Sequence, residues 1–247
     1  MRNVIFNEKS VEIDSGFFFG KGVFETILVK DKPLFLYEHI DRLNKSIEIL
    51  NIGGNICSDE ILKLILDYNI RNCVLKIVVT EKNIVLTTRK VNYKLEDYIT
   101  GFSIKISESI RNSKSKLTYI KSTNYLENIL EREEAIKSGY DEAIFLNENG
   151  YLSEGSMSNI FIIKNNKLFT PSINEGLLPG IIRGFIIKRY DVIEKKISLE
   201  ELFDADEIFI TNSILGIMGI SKIENKILNE NKITNSIRED YNKMIES

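Results

Sequence analysis

The sequence predicts an α/β protein, α+β-like in the order of its elements and built as two lobes. Three features carry that expectation. Strand-like and helix-like runs follow one another without the regular βαβ rhythm of a TIM barrel or a Rossmann fold. The hydrophobic period lengthens from two to about 3.6 after Leu36. A polar stretch at 107–120, SESIRNSKSKLTYI, separates two more apolar halves. Residues 1–110 therefore form an N-terminal α/β lobe, 111–120 a connection, and 121–247 a C-terminal lobe.

Each element has a local cause. Val4–Phe6 and Val11–Ile13 flank the turn-like Asn7-Glu8-Lys9. Val23–Val29 is a strand of β-branched and aromatic residues, and Leu34–Leu36 a second short one after the break at Pro33. Ile40, Leu43, Ile47 and Leu50 then recur at helical spacing until Gly53-Gly54. Ser58-Asp59 can cap a helix through Leu66. Strands follow at 74–80, 84–88 and 102–106. In the second half, a helix over 124–137 closes at Gly139. Strands at 142–146, 159–163 and 167–169 are joined by Asn- and Gly-rich turns. A helix opens near Pro179-Gly180, Ser198-Leu199-Glu200-Glu201 matches a capping box, 207–211 is a strand, and 233–245 a closing helix.

Composition narrows the chemistry. The 247 residues are 43% apolar and 28% charged, with 33 basic and 36 acidic side chains. One His (His39) and two separated Cys (Cys57, Cys73) cannot build a zinc site of the usual kind. Nothing around His39 resembles a Ser-His-Asp or Cys-His machine, so His39 reads as structural. The near-neutral balance argues against nucleic acid, and no run is long enough to span a membrane. The expected setting is the cytoplasm, with a small-molecule substrate and no metal.

Covalent chemistry then falls to Lys, Ser or a carboxylate. A lysine amine is most useful with a carbonyl cofactor such as pyridoxal phosphate (PLP). That cofactor needs a lysine for its aldehyde, an acid for its ring nitrogen, and a phosphate cup of N–H groups, hydroxyls and an Arg. Segment 154–183 holds Glu154, Ser156, Asn159, Ile160-Phe161, Leu168-Phe169-Thr170 and Leu178-Pro179-Gly180-Ile181-Ile182-Arg183. It is similar to the signature of the class IV (fold-type IV) PLP-dependent aminotransferase family. Tyr119–Leu126 resembles the family's Schiff-base segment, His39–Leu43 its phosphate-arginine segment, Phe19–Thr26 its N-terminal active-site strand, and Ala205–Ser213 the turn that closes the phosphate cup.

The resemblance implies a small N-terminal lobe, a larger C-terminal lobe with a β-barrel-like sheet and flanking helices, and a homodimer. It implies Lys121 as the catalytic lysine and the cofactor's covalent anchor. Glu154 would hold the ring nitrogen, and Arg42, Ser156, Asn159, Ile181, Ile182, Asn212 and Ser213 the rest of the cofactor. Taken singly, Lys121 or Arg42 could be a solvated side chain, and Ser156, Asn212 and Ser213 simple turn formers. Phe17, Phe24, Arg89 and Arg111 are candidates on the substrate side, and Phe17-Phe18-Phe19 reads as part core and part pocket wall. Gly20-Lys21-Gly22 is no dinucleotide loop, because a strand follows it.

Within the family, Thr211–Met218 looks like the turn of 4-amino-4-deoxychorismate lyases, and Arg111-Asn112 resembles the same subgroup. That subgroup converts 4-amino-4-deoxychorismate to 4-aminobenzoate, a folate precursor, and pyruvate. The alternative is an aminotransferase for D-amino or branched-chain amino acids with 2-oxoglutarate. A PLP carrier without turnover fits less well, since Lys121 and Glu154 are both present. The chain departs from the family at Asp14-Ser15-Gly16, at Lys21 where an acid is usual, and at Phe17, where some lyases have a hydroxyl. The 80–90 hairpin is short, and no Arg-x-His pair appears in 73–90. These departures fall on the substrate side.

Overall fold

A computed structural model describes residues 2–8, 10–228 and 231–246. The fold is mixed α+β, with a small N-terminal lobe and a C-terminal curled sheet flanked by helices. The chain divides into two compact units, 1–92 with 120–125, and 93–119 with 126–247. This differs from the expected division at 111–120.

The first unit runs β1 (Asn3–Phe6), α1 (Ser15–Phe19), β2 (Val23–Val29), α2 (Leu36–Leu50), α3 (Ser58–Asp67), β3 (Cys73–Val79) and β4 (Asn83–Arg89). Its sheet has the order β1-β4-β3-β2. Alternation along the strands sends Val23, Ile27, Leu75, Ile77, Val79 and Leu86 to one face. There they meet the helical stripe Leu36, Ile40, Leu43 and Ile47 of α2, and Ile61 and Ile65 of α3.

Three local expectations change in this unit. Leu34–Leu36 is no strand: Pro33 makes a single bridge to Val29, and Leu36 already begins α2. Val11–Ile13 is held instead by a side chain, with the Glu12 N–H donating to Asn83 Oδ1 and Asn83 Nδ2 donating back to the Glu12 carbonyl. Helix α1 is too short to show a period. Asp14 caps its start by accepting from the Gly16 N–H, and Gly20 ends it at φ 62°.

Residues 120–125 join this unit because β2 has a free edge. The Phe24 N–H donates to the Lys121 carbonyl at 2.8 Å, and the Thr123 N–H to the Gly22 carbonyl at 2.9 Å. The Thr123 hydroxyl and the Asn124 amide both donate to the Gly20 carbonyl. Satisfying these backbone groups decides where the lysine segment lies, and hydropathy carries no trace of it.

The second unit comprises α4 (Leu95–Thr100), β5 (Phe102–Arg111), α5 (Leu126–Lys137), β6 (Glu142–Asn147), β7 (Leu152–Gly155), β8 (Asn159–Lys164), β9 (Lys167–Pro171), α6 (Ile181–Arg189), β10 (Val192–Lys195), α7 (Leu199–Phe203), β11 (Glu207–Asn212), β12 (Gly216–Ile223), β13 (Lys226–Ile227) and α8 (Lys232–Glu246). Eight strands follow the order β10-β9-β8-β11-β12-β5-β6-β7, and β13 pairs with β12. Strand β5 runs on through Arg111 and pairs in parallel with β6 and β12, so the polar stretch is sheet over residues 107–111 and the expected connection loses its first residue to the strand. Ile160, Ile162, Ile208, Ile210, Met218 and Ile220 fill one side of this sheet. The alternate positions carry Phe145, Phe161 and Phe209, and the last two stack at 4.8 Å. The Ser198 capping box is present as expected.

Asp14 links α1 to the β3–β4 turn. Its carboxylate accepts from the Gly16 N–H, the Thr80 hydroxyl and the Lys82 N–H. Burial opposes its charge, and these donors outweigh burial and hold its pKa below the ordinary value. Asp14→Ala is expected to cost roughly 2–3 kcal/mol by stranding the buried donors, measured by urea unfolding; a loss under about 0.5 kcal/mol would contradict the anchoring role.

Candidate active site

In the first unit, Lys121 lies on the edge of β2. Its ammonium stands 4.5 Å from the Phe24 ring centroid and 5.2 Å from that of Tyr125. The two rings meet edge to face at 5.2 Å. A second lysine, which no sequence motif marks, faces the Phe24 ring. Lys76 on β3 sits 4.6 Å from the same Phe24 ring, and burial, then Arg89, lowers its pKa. Among the substrate-side candidates of this unit, Phe24 is buried, Arg89 is exposed and donates to the Lys90 carbonyl, and Phe17 is 69% exposed on α1.

Arg42, on α2, turns inward. Its Nε donates to Glu25 Oε1 at 2.7 Å and its Nη2 to Oε2 at 2.8 Å. His39 Nδ1 lies 2.6 Å from the same carboxylate. Glu25 on β2 is fully buried. Burial would push its pKa up; Arg42 and then His39 outweigh burial and hold it far below the carboxylate range. Burial lowers the pKa of His39 against the pull of Glu25, and the charges of Arg42 and Lys121 lower it further. The triad then carries one carboxylate and one guanidinium, with a neutral imidazole donating Nδ1–H. His39 is thus structural in the way expected, and Glu25 is the partner that the sequence reading did not name.

In the second unit, the signature residues converge on one peptide. Glu154, at the end of β7, accepts the Leu178 N–H at 2.9 Å. Asn159, at the start of β8, donates Nδ2 to the Leu178 carbonyl at 2.9 Å. Leu178 is held from both ends, two residues before Gly180 caps α6. No side chain caps that helix, so its first N–H groups, at Ile181 and Ile182, suit a phosphate. A Cβ on Gly180 would fall 1.9 Å from Asn159 Oδ1, so the glycine is required by this approach.

Ser156 and Asn212 serve the frame. The Ser156 and Ser158 hydroxyls and the N–H groups of Ser156 and Met157 donate to Glu142. Glu142 is fully buried, and burial pushes its pKa up while these donors oppose it. Asn128 Nδ2 donates to the Ser156 carbonyl. Asn212 Oδ1 accepts from the N–H groups of Ile214 and Leu215, and its Nδ2 donates to the Met157 carbonyl. That geometry builds the turn holding Ser213 and leaves the Asn212 amide engaged with protein.

Arg111, expected on the substrate side, is 7% exposed. Its guanidinium stacks on Phe145 at 3.9 Å, pairs with Glu127 at 2.7 Å, and has Nε 3.7 Å from Glu154 Oε1. Its burial comes from its place at the end of β5, inside the stretch whose composition predicts a connection. Among the described residues no group of His, Cys, Asp and Glu could hold a metal, and no helix is long and apolar enough to cross a membrane.

The residues fit PLP in kind: a lysine among aromatic rings, a buried acid fixed by a backbone N–H, and an uncapped helix start. Comparisons with known proteins point the same way. Residues 22–223 match the family described as Amino-transferase class IV. A protein of Aquifex aeolicus named a probable branched-chain-amino-acid aminotransferase is 30% identical over 92% of this chain and 84% of its own. The aminodeoxychorismate lyase of Bacillus subtilis is 33% identical over 85% of this chain and 80% of its own. The crystal structure of a branched-chain aminotransferase from Thermoproteus uzoniensis with norvaline matches at a TM-score of 0.87 and 27% identity, covering 97% of this chain and 90% of that one. Both activities stand among the relatives, so similarity does not single out the lyases.

Two outcomes follow from this geometry. Glu25 has a depressed folded pKa, so its stabilisation is present above the unfolded value and is lost as pH falls through the folded one. The wild type should lose stability in urea between about pH 5 and pH 2, more steeply than Glu25→Gln; parallel curves would remove the ionised triad. Gly180→Ala should cost about 1–3 kcal/mol in thermal unfolding by forcing Asn159 aside, and an unchanged midpoint would show that the approach is not close.

Proposed function

The chain belongs to the class IV aminotransferase family, and from that premise we propose that it is a PLP-dependent aminotransferase. Its donor would be a branched-chain or D-amino acid and its acceptor 2-oxoglutarate. The PLP reading is carried by the two-ended hold on Leu178, which ties the acid Glu154 to the uncapped start of α6. That PLP is the cofactor is supported by the family match and by the likeness to aminotransferases of known structure.

When bound, PLP supplies an electron sink for the pair left at the substrate Cα once its proton is removed. In this reading Lys121 holds the cofactor covalently. Once the substrate amine has taken its place on the cofactor, the freed Nζ would take the proton from the substrate Cα and carry it for return, a task suited to a lysine that is neutral when it acts. The aromatic faces of Phe24 and Tyr125 keep that amine in an apolar setting. Glu154 would accept the ring N–H. Arg42, the N–H groups of Ile181 and Ile182, and the turn at Ser213 would bind phosphate. Ser156, Asn159 and Asn212 hold these donors in place. The working form would be a cytoplasmic homodimer.

Transamination is favoured over elimination by Phe17, which has no hydroxyl to assist a leaving group. The lyase reading keeps one observation in its favour, the Thr211-Asn212-Ser213 turn built on Asn212 Oδ1.

Purified protein offered valine, leucine or D-alanine with 2-oxoglutarate should form glutamate and the matching 2-oxo acid. Release of pyruvate and 4-aminobenzoate from 4-amino-4-deoxychorismate, without such transfer, would reverse the assignment. Lys121→Ala should lose borohydride-stable labelling by PLP and at least about a thousandfold in turnover. Labelling retained at another lysine, Lys76 included, would show that the anchor is misassigned.

A further inference from the structure

Arg111 is a buried cation that the proposed chemistry does not use. Its Nε and Nη2 are buried and have no hydrogen-bond partner among the described residues. Leaving such donors unmet in a site removed from water is costly. Of the two carboxylates it faces, Glu127 is half exposed, and an ion pair at such a rim contributes little. Glu154 is only 8% exposed. One of its oxygens takes the Leu178 N–H and the other faces Arg111 Nε at 3.7 Å. Stacking on Phe145 fixes the plane of the guanidinium, so its charge is held in place.

We propose that Arg111 is the positioning residue of Glu154, holding that carboxylate charged and turned so that it can accept the ring N–H of the cofactor. The proposal rests on the PLP reading given above. It assigns Arg111 to the cofactor's acid and removes it from the substrate side. A lysine could supply charge here but not the flat face that meets Phe145.

A double-mutant cycle on PLP affinity tests this. Cofactor dissociation constants are measured by fluorescence for wild type, Arg111→Met, Glu154→Gln and the double variant. Arg111→Met should weaken PLP binding about tenfold in the wild-type background and less than about twofold beside Glu154→Gln. Equal losses in both backgrounds, or no loss in either, would overturn the assignment, since a merely structural arginine acts independently of Glu154. Thermal unfolding of the cofactor-free variants shows which are folded. If Arg111→Met is not, Arg111→Lys takes its place in the cycle, with about threefold expected in the wild type and none beside Glu154→Gln. A wild-type chain that takes up no PLP would reject the cofactor reading along with this role, whereas uptake without coupling rejects the role alone.

Discussion

The peptide group of Leu178 is the point on which the second unit's arrangement of Glu154, Asn159 and α6 depends. Its N–H belongs to a buried carboxylate and its carbonyl to a buried amide. Neither side chain can turn away without leaving a polar backbone group unpaired inside the protein. The hold also fixes Pro179-Gly180 and thus the direction in which α6 starts. An acid and a helix N-terminus are placed together by one backbone unit, and Gly180 is small because Asn159 stands against it.

Beneath that arrangement lies a second carboxyl with a different task. Glu142 accepts from two hydroxyls and two backbone N–H groups of the 155–158 loop. It shapes the loop between Glu154 and Asn159, and five positions in sequence become two fixed directions in space. The first unit solves a comparable problem with net charge, because Glu25 is matched by Arg42 and steadied by His39. A buried carboxylate is tolerable when a guanidinium meets it in a two-point fork. In both units, side chains that carry the family's signature are braced by acids outside it.

The two reactions considered for this chain share everything up to the loss of the Cα proton. In the proposed reading, Lys121, Glu154 and the phosphate donors would serve either one. What separates them is the surroundings of the substrate, on which the 154–183 signature is silent. That is why relatives of both activities match over most of the chain.

Much of the fold was legible in residue order. The stripe of α2, the run of β2, the capping box at Ser198 and the closing helix follow from periodicity and caps, which are local properties. The family was legible too, because the 154–183 spacing is specific. Tertiary structure decided the rest. It returned 120–125 to the first unit, since the free edge of β2 needs backbone partners. It extended β5 through a polar stretch, where parallel pairing with β6 outweighs composition. It brought Glu25 to Arg42 and Arg111 to Glu154, pairings 17 and 43 positions apart that no local period encodes. Sequence by itself determined which elements form and which groups are available; only packing decided which buried charges face one another, because that depends on what desolvation forces each of them to find.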